Sequence, residues 1–253
     1  MSKTILLTGA SRGIGLSIAH FLLSQPSKHN LIAVSRTEEP LRALQSQYSS
    51  DRVGYLAADL SDLSIGEEVV KFAIQKFGRL DGVIVNHGVL DPVKRVEDST
   101  AEEWRDAYKI NFFSALAIVK AAIPALRESR GTILFTSSGA ASSSYSTWGA
   151  YGSAKAAMNH LAATLGNEEK EITSIAIRPG VVDTEMQRDI REKHRGSMDV
   201  KDVAKFAELK ETGGLLRPEQ PGHVMAKLVL DAPKELSGKF LTWNAEELEK
   251  FQE

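Results

Sequence analysis

The chain of 253 residues carries 31 Lys and Arg against 33 Asp and Glu, with six His and no Cys. That near-neutral balance, without a basic tract, excludes recognition of nucleic acid through charge. The missing thiols exclude disulfides, thiol catalysis and cysteine-ligated metals, and the scattered histidines show no zinc spacing, so no metal is expected.

The first apolar run, Ile5-Leu6-Leu7, reads as a short strand. It is too short for a signal peptide or a membrane span, and no other segment reads as apolar enough to span. A soluble cytoplasmic protein with no membrane partner is therefore expected. Directly after this strand comes Thr8-Gly9-Ala10-Ser11-Arg12-Gly13-Ile14-Gly15, followed by a helix over Ile14 to Leu23. Glycines in a strand-turn-helix context let the backbone approach a pyrophosphate, which the helix N-terminus attracts. Gly9, Ser11, Arg12, Gly13, Ile14 and Gly15 are thus cofactor-binding candidates.

The second strand, Leu31 to Val34, ends on Ser35-Arg36. A site for NAD(H) usually carries a carboxylate there, on the ribose 2′-hydroxyl. Here Ser35, Arg36 and Arg12 instead suit a 2′-phosphate, so the expected cofactor is NADP(H). Glu38 and Glu39 fall in the first turn of a helix that reaches Tyr48, where acids are favourable. After the third strand, Val53 to Leu56, stands Asp59-Leu60, an acid placed to bond an adenine amino group. A helix over Ile65 to Phe77 and a strand over Val83 to Val85 lead to Asn86-His87-Gly88, where the two halves of a dinucleotide would meet.

A long helix, Ala101 to Arg127, precedes the strand Thr132 to Phe135 and a serine-rich loop over Ser137 to Ser146. Ser138 lies in that loop. The next helix, Ala150 to Asn167, carries Tyr151 and Lys155 one turn apart on the same face. A free tyrosine titrates near pH ~10. A neighbouring ammonium favours the phenolate, so Lys155 is expected to lower that value and make Tyr151 a usable acid/base. A serine at the same point would hydrogen-bond a reacting carbonyl oxygen. The strand Ile172 to Ile177 follows, then a charged stretch over 182–216 with helices at Thr184 to Lys193 and Val200 to Lys210. Long insertions of this kind are often lids. A helix over Glu219 to Leu230 and a strand over Phe240 to Trp243 complete the chain. Most of the strands are continuous apolar runs, the pattern of strands buried on both faces. The alternation predicts an α/β fold: one Rossmann-type, doubly wound parallel sheet with helices on both faces, forming a single domain over 1–253.

Taken together, Thr8-Gly9-x3-Gly13-x-Gly15, Asp59, Asn86-x-Gly88, Asn111, Ser138, Tyr151-x3-Lys155 and Arg178-Pro179-Gly180 with Thr184 resemble the short-chain dehydrogenase/reductase family. The resemblance covers nearly the whole chain. It implies that Tyr151 is the acid/base and that Ser138 polarises the carbonyl. It implies that Lys155 lowers the tyrosine pKa and holds the nicotinamide ribose. Asn111 would interrupt its helix and hold a water that links Lys155 to solvent. Pro179-Gly180-Val181, with Val182 after it, would lie against the nicotinamide, and Thr184 would bond its carboxamide. His87 departs from the family's usual alanine and is expected to pack near the cofactor. By resemblance the two long helices form a self-association contact, so a homodimer or homotetramer is expected.

Within the family, Trp148 to Tyr151, Val182 to Gln187 and Leu209 to Leu216 resemble the branch of sepiapterin reductase and the microbial benzil (diketone) reductases. Sepiapterin reductases keep an aspartate in the last strand, where this chain has Thr242. The expected reaction is NADPH-dependent reduction of a small-molecule ketone or α-diketone. A pterin side-chain carbonyl and a non-catalytic NADPH-binding regulator are the alternatives. Val89, Leu90, Trp148, Met186 and Phe206 are the candidates for an apolar substrate pocket.

Overall fold

A computed structural model describes residues 2–252. Its centre is a seven-stranded sheet: β1 Thr4–Thr8, β2 Asn30–Ser35, β3 Val53–Ala57, β4 Gly82–Val85, β5 Thr132–Thr136, β6 Thr173–Arg178 and β7 Phe240–Thr242. The spatial order is β3-β2-β1-β4-β5-β6-β7, and neighbouring strands pair in parallel. The expected doubly wound α/β sheet is what the chain forms.

The continuous apolar runs have a direct cause. In β1, Ile5 and Leu7 point into one layer while Leu6 points into the other. One layer holds α1 Gly13–Ser24, α2 Glu38–Tyr48, α9 Glu219–Asp231 and the short α10 Glu249–Gln252, through Ile18, Leu22, Leu41, Met225 and Phe251. The other holds α3 Ile65–Phe77, α5 Ser114–Ser129 and α6 Gly149–Glu168, through Val69, Ile118, Met158 and Leu165. A third cluster sits over the carboxyl ends of the strands. It joins Leu90, Trp148 and Tyr151 to Ile190 of α7 Glu185–Glu192 and Phe206 of α8 Val200–Glu211. The 182–216 stretch is tied at its base by an isolated parallel bridge between Val182 and Leu216, a pairing the sequence did not suggest.

The expected helix from Ala101 to Arg127 is continuous but not uniform. It opens as α4 Ala101–Tyr108, passes through a π-helical turn at Lys109–Phe113 and continues as α5. A reciprocal capping box starts it. Thr100 Oγ1 accepts from the Glu103 N–H, and the Glu103 carboxylate accepts from the Thr100 N–H. Within Ala101–Ser129 an 18-residue window reaches a mean hydropathy of 1.5, so by length and composition alone the helix could cross a membrane. The expectation that no further segment reaches that threshold is therefore corrected. The apolar residues serve two faces: Ile118, Val119 and Ala122 pack under the sheet, while Phe113 and Leu116 stay exposed.

The chain runs from β1 outward to β3, then returns to place β4 on the other side of β1. That reversal leaves a crevice at the carboxyl ends of β1 and β4, where open α/β sheets bind ligands. The glycine turn fills its floor. Gly9 adopts φ +66°, and a Cβ on Gly15 would lie 2.1 Å from the Gly9 carbonyl oxygen. The first turn of α1 holds no acidic side chain, so its free N–H groups keep their affinity for an anion. Gly15→Ala is expected to force the turn open and to cost about 1–3 kcal/mol in urea unfolding.

Candidate active site

The crevice is a cleft of about 360 Å³ running from the glycine turn to Tyr151. Of the residues singled out from the sequence, all but Gly15 and Asn111 lie on its wall. Gly15 is packed beneath the turn, against Gly9 and Asn86, and Asn111 stands behind the wall.

At the nucleotide end, Arg36 is exposed beyond β2, and Ser35 turns its hydroxyl inward to donate to the Thr37 carbonyl at 3.0 Å. Asp59 accepts from the Ser61 N–H at 2.9 Å, and this bond, helped by Arg36, holds its carboxyl below the ordinary range. The Arg12 guanidinium pairs with Glu185 at the start of α7, and both side chains are exposed. Glu38, in the first turn of α2, accepts from the Tyr55 hydroxyl at 3.1 Å. Asn86 donates to the Gly9 carbonyl at 3.3 Å and accepts from Thr136 Oγ1 at 3.0 Å, stitching the turn to β5. Thr184 is the N-cap of α7, its hydroxyl accepting from the Gln187 N–H, and its methyl lies against Gly13.

At the other end, Ser138 stands just past β5, and Tyr151 and Lys155 project from the first turns of α6. Tyr151 and Lys155 are buried. Here one expectation is corrected. The Tyr151 phenol is pushed above its ordinary pKa, because burial outweighs its hydrogen bond with Ser138. The Lys155 ammonium sits 5.8 Å from the Tyr151 ring centre and donates to the Thr136 carbonyl at 2.8 Å. Burial pulls Lys155 itself down to about 8. Asn111 does interrupt its helix, at the π-turn. Its carboxamide is taken up by Val89, accepting from the N–H and donating to the carbonyl, both at 2.9 Å. A phenol held protonated is a proton donor, the form that reduction of a carbonyl requires.

Above the catalytic cluster stands an aromatic wall. The Trp148 ring meets Tyr151 edge-on at 6.1 Å and stacks on Phe206 at 5.6 Å. Val89, Leu90 and Met186 line the same end. Sequence reasoning missed Tyr145, which lies 4.7 Å from Trp148 in the same stack and receives Lys205 on its hydroxyl. It sits in the serine-rich loop, whose position was read correctly while its one aromatic residue was passed over. Arg178, Gln187 and Ile190 also reach the cleft, although none of them was a candidate site residue.

A family model described as short chain dehydrogenase matches residues 3–195. The chain belongs to the short-chain dehydrogenases. These are oxidoreductases that use NAD(H) or NADP(H), and the cleft fits such a cofactor: a glycine cradle that a Cβ would fill, and a helix start free of acids. Among relatives, the benzil reductase ((S)-benzoin forming) IRC24 of Saccharomyces cerevisiae is 41% identical over 258 residues, covering 98% of each chain. The crystal structure of the short-chain dehydrogenase/reductase YIR035C from the same yeast superposes with a TM-score of 0.96 at 40% identity, covering 100% of both chains. A cytoplasmic protein of unknown function from Saccharomyces cerevisiae gives 0.85 at 40% identity, again over 100% of both chains.

In this short-chain dehydrogenase the buried Lys155 carries a stability cost. Its amine moves from an ordinary 10.5 to about 8, so the unfolded chain holds the extra proton between those values. Stability therefore rises with pH across that window and is penalised below it. At about 1.4 kcal/mol per unit, the charged form costs a few kcal/mol at neutral pH. Urea unfolding of wild type and Lys155→Met at pH 7 to 10 is expected to show the rise in the wild type alone.

Proposed function

We propose that this chain reduces a ketone or α-diketone carbonyl with NADPH. The observation that carries the reading is the cluster of Ser138, Tyr151 and Lys155 at one end of the cleft that begins at the glycine turn, beneath an aromatic wall. The 41% identity to a yeast benzil reductase over nearly the full chain supports the diketone as substrate. Arg36, with no carboxylate at the end of β2, supports NADPH over NADH. Gly9, Ser11, Gly13, Ile14, Asp59, Leu60, Asn86 and Gly88 would hold the adenosine and pyrophosphate side. Pro179, Gly180, Val182 and Thr184 would hold the nicotinamide side. When bound, the reduced nicotinamide supplies the hydride.

The protein's own part is charge and geometry. Ser138 and Tyr151 donate to the carbonyl oxygen, and these bonds strengthen as negative charge grows there, favouring the transition state over the ground state. Tyr151 then gives up its proton to the alkoxide. Lys155, buried behind it, stabilises the phenolate left over. The wall of Tyr145, Trp148 and Phe206 offers a flat apolar face to the substrate. Phe206 belongs to the 182–216 segment, which we read as a lid built into a single NADP(H)-binding domain. The exposed Phe113 and Leu116 support self-association through the Ala101–Ser129 helix, and a cytoplasmic location agrees with the yeast relative described so.

Two outcomes test this reading. Tyr151→Phe is expected to lower kcat with benzil by at least ~10²-fold, the contribution typical of a general acid, while fluorescence titration shows NADPH binding within about threefold of wild type, the hydroxyl's ~1 kcal/mol hydrogen bond setting that limit. A variant keeping most of its activity removes Tyr151 from the chemistry. Arg36→Ala is expected to weaken NADPH binding about tenfold and to leave NADH nearly unchanged, since it deletes one charge-assisted bond to a phosphate. Equal losses for both cofactors would point away from the 2′-phosphate.

A further inference from the structure

His87 is a polar residue at the cleft that the mechanism above does not use. It stands at the end of β4, between the glycine turn and the π-turn, and its ring is engaged at both nitrogens. Nδ1 lies 2.7 Å from Thr8 Oγ1. Nε2 lies 2.7 Å from Ser114 Oγ and 3.1 Å from the Ile110 carbonyl oxygen.

The proton on the ring can be placed by counting donors. Ser114 Oγ donates back to the Ile110 carbonyl at 2.6 Å, so its hydrogen is spent. Thr8 Oγ1 already accepts from the Asn86 N–H at 2.9 Å and the His87 N–H at 3.4 Å. The Ile110 carbonyl can only accept, so on a neutral ring Nδ1 is the acceptor, and the Thr8 hydroxyl donates to it at 2.7 Å in preference to the Ile84 carbonyl at 3.3 Å. Nε2 therefore carries the proton and points it at Ser114 and Ile110. Burial, reinforced by Lys155, pushes the imidazole down to about 3, so the ring is neutral at ordinary pH.

The consequence lies in the helix. At the π-turn the Ser114 N–H bonds to Lys109 rather than to Ile110. The Ile110 carbonyl thereby loses its ordinary α-helical donor. The Ser114 hydroxyl and His87 Nε2–H supply donors in its place. A π-turn is a strained insertion found mostly where function requires it, and here two side chains satisfy the group it frees. The next residue is Asn111, whose carboxamide holds Val89. The Cβ position of Gly88 lies 3.0 Å from Asn111 Oδ1 and 3.4 Å from Lys155 Nζ.

We propose that His87 is a positioning residue: bridging Thr8 to the Ser114–Ile110 pair, it clamps the π-turn and so fixes Asn111 and the Gly88–Val89 backbone against Lys155. It has no free nitrogen with which to act on a substrate. Its effect on turnover rests on the reductase reading above; its effect on the helix does not.

The test uses His87→Ala, His87→Gln and Ser114→Ala beside the wild type. Side-chain ¹⁵N spectra of the wild type are expected to show the Nε2–H tautomer at His87. In His87→Ala, amide exchange over 109–114 is expected to quicken about tenfold, the loss of one buried hydrogen bond, with no change in α3. With benzil and NADPH, kcat should fall at least about tenfold while the KM for NADPH stays within about threefold, as for a small misplacement near the reacting groups. Gln, which keeps a donor and an acceptor, should restore most of both readings. Unchanged exchange in the Ala variant, the Nδ1–H tautomer, or a kcat equal to wild type overturns the proposal. If His87→Ala does not fold, Ser114→Ala and His87→Gln decide by the same exchange reading, quickened in the first and close to wild type in the second. If the wild type reduces no carbonyl, the reductase reading falls, while exchange and tautomer still judge the clamp.

Discussion

The reversal of strand order between β1 and β4 is the constraint on which the rest of this structure depends. Because the chain leaves β1 in one direction and returns on its other side, no crossover covers the carboxyl ends of these two strands. Everything with chemical character collects there. The glycine turn follows β1, Asn86 and His87 follow β4, Ser138 follows β5, and the 182–216 segment folds over from β6. A parallel sheet buried on both faces keeps those strand ends rigid, so the side chains beyond them are held by a core rather than by loops.

The same burial sets the electrostatics. Lys155, Tyr151 and His87 are each shifted toward the neutral form, and the first cause in each case is loss of water. A phenol kept protonated and an amine poised near physiological pH form a site ready to donate one proton and to tolerate the charge left behind. This gives the Tyr151–Lys155 pair a different meaning from the one its spacing suggests. The spacing places an ammonium by a phenol, whereas the folded chain spends that ammonium on the Thr136 carbonyl and leaves burial to dominate. Sequence spacing reports proximity; the balance between desolvation and charge is visible only once the surroundings are known.

Much of the fold was legible because it is written in local periodicity. All seven strands and the main helices fall where apolar runs and helical spacing put them, since each strand must be apolar on both faces. The site was legible where motifs dictate backbone shape, as at Gly9 and Gly15. It was not legible where a side chain has two available partners. Arg12 lies in the glycine turn, yet its nearest anion is Glu185, 173 residues away in sequence. Tyr145 joins the aromatic wall through tertiary stacking that no spacing encodes. The π-turn at Asn111 needs donors from β4 and from α5 together, and neither segment alone announces it.

The central claim is that hydride passes from a reduced nicotinamide to a carbonyl held at Ser138 and Tyr151. Its most direct test is to incubate the protein with benzil and NADPH carrying deuterium at both C4 positions, then read the product by mass and proton spectra. The account predicts benzoin with one deuterium on the carbinol carbon, formed in step with NADPH oxidation. Benzoin free of deuterium, or NADPH bound and left unoxidised across α-diketones and simple ketones, would contradict it.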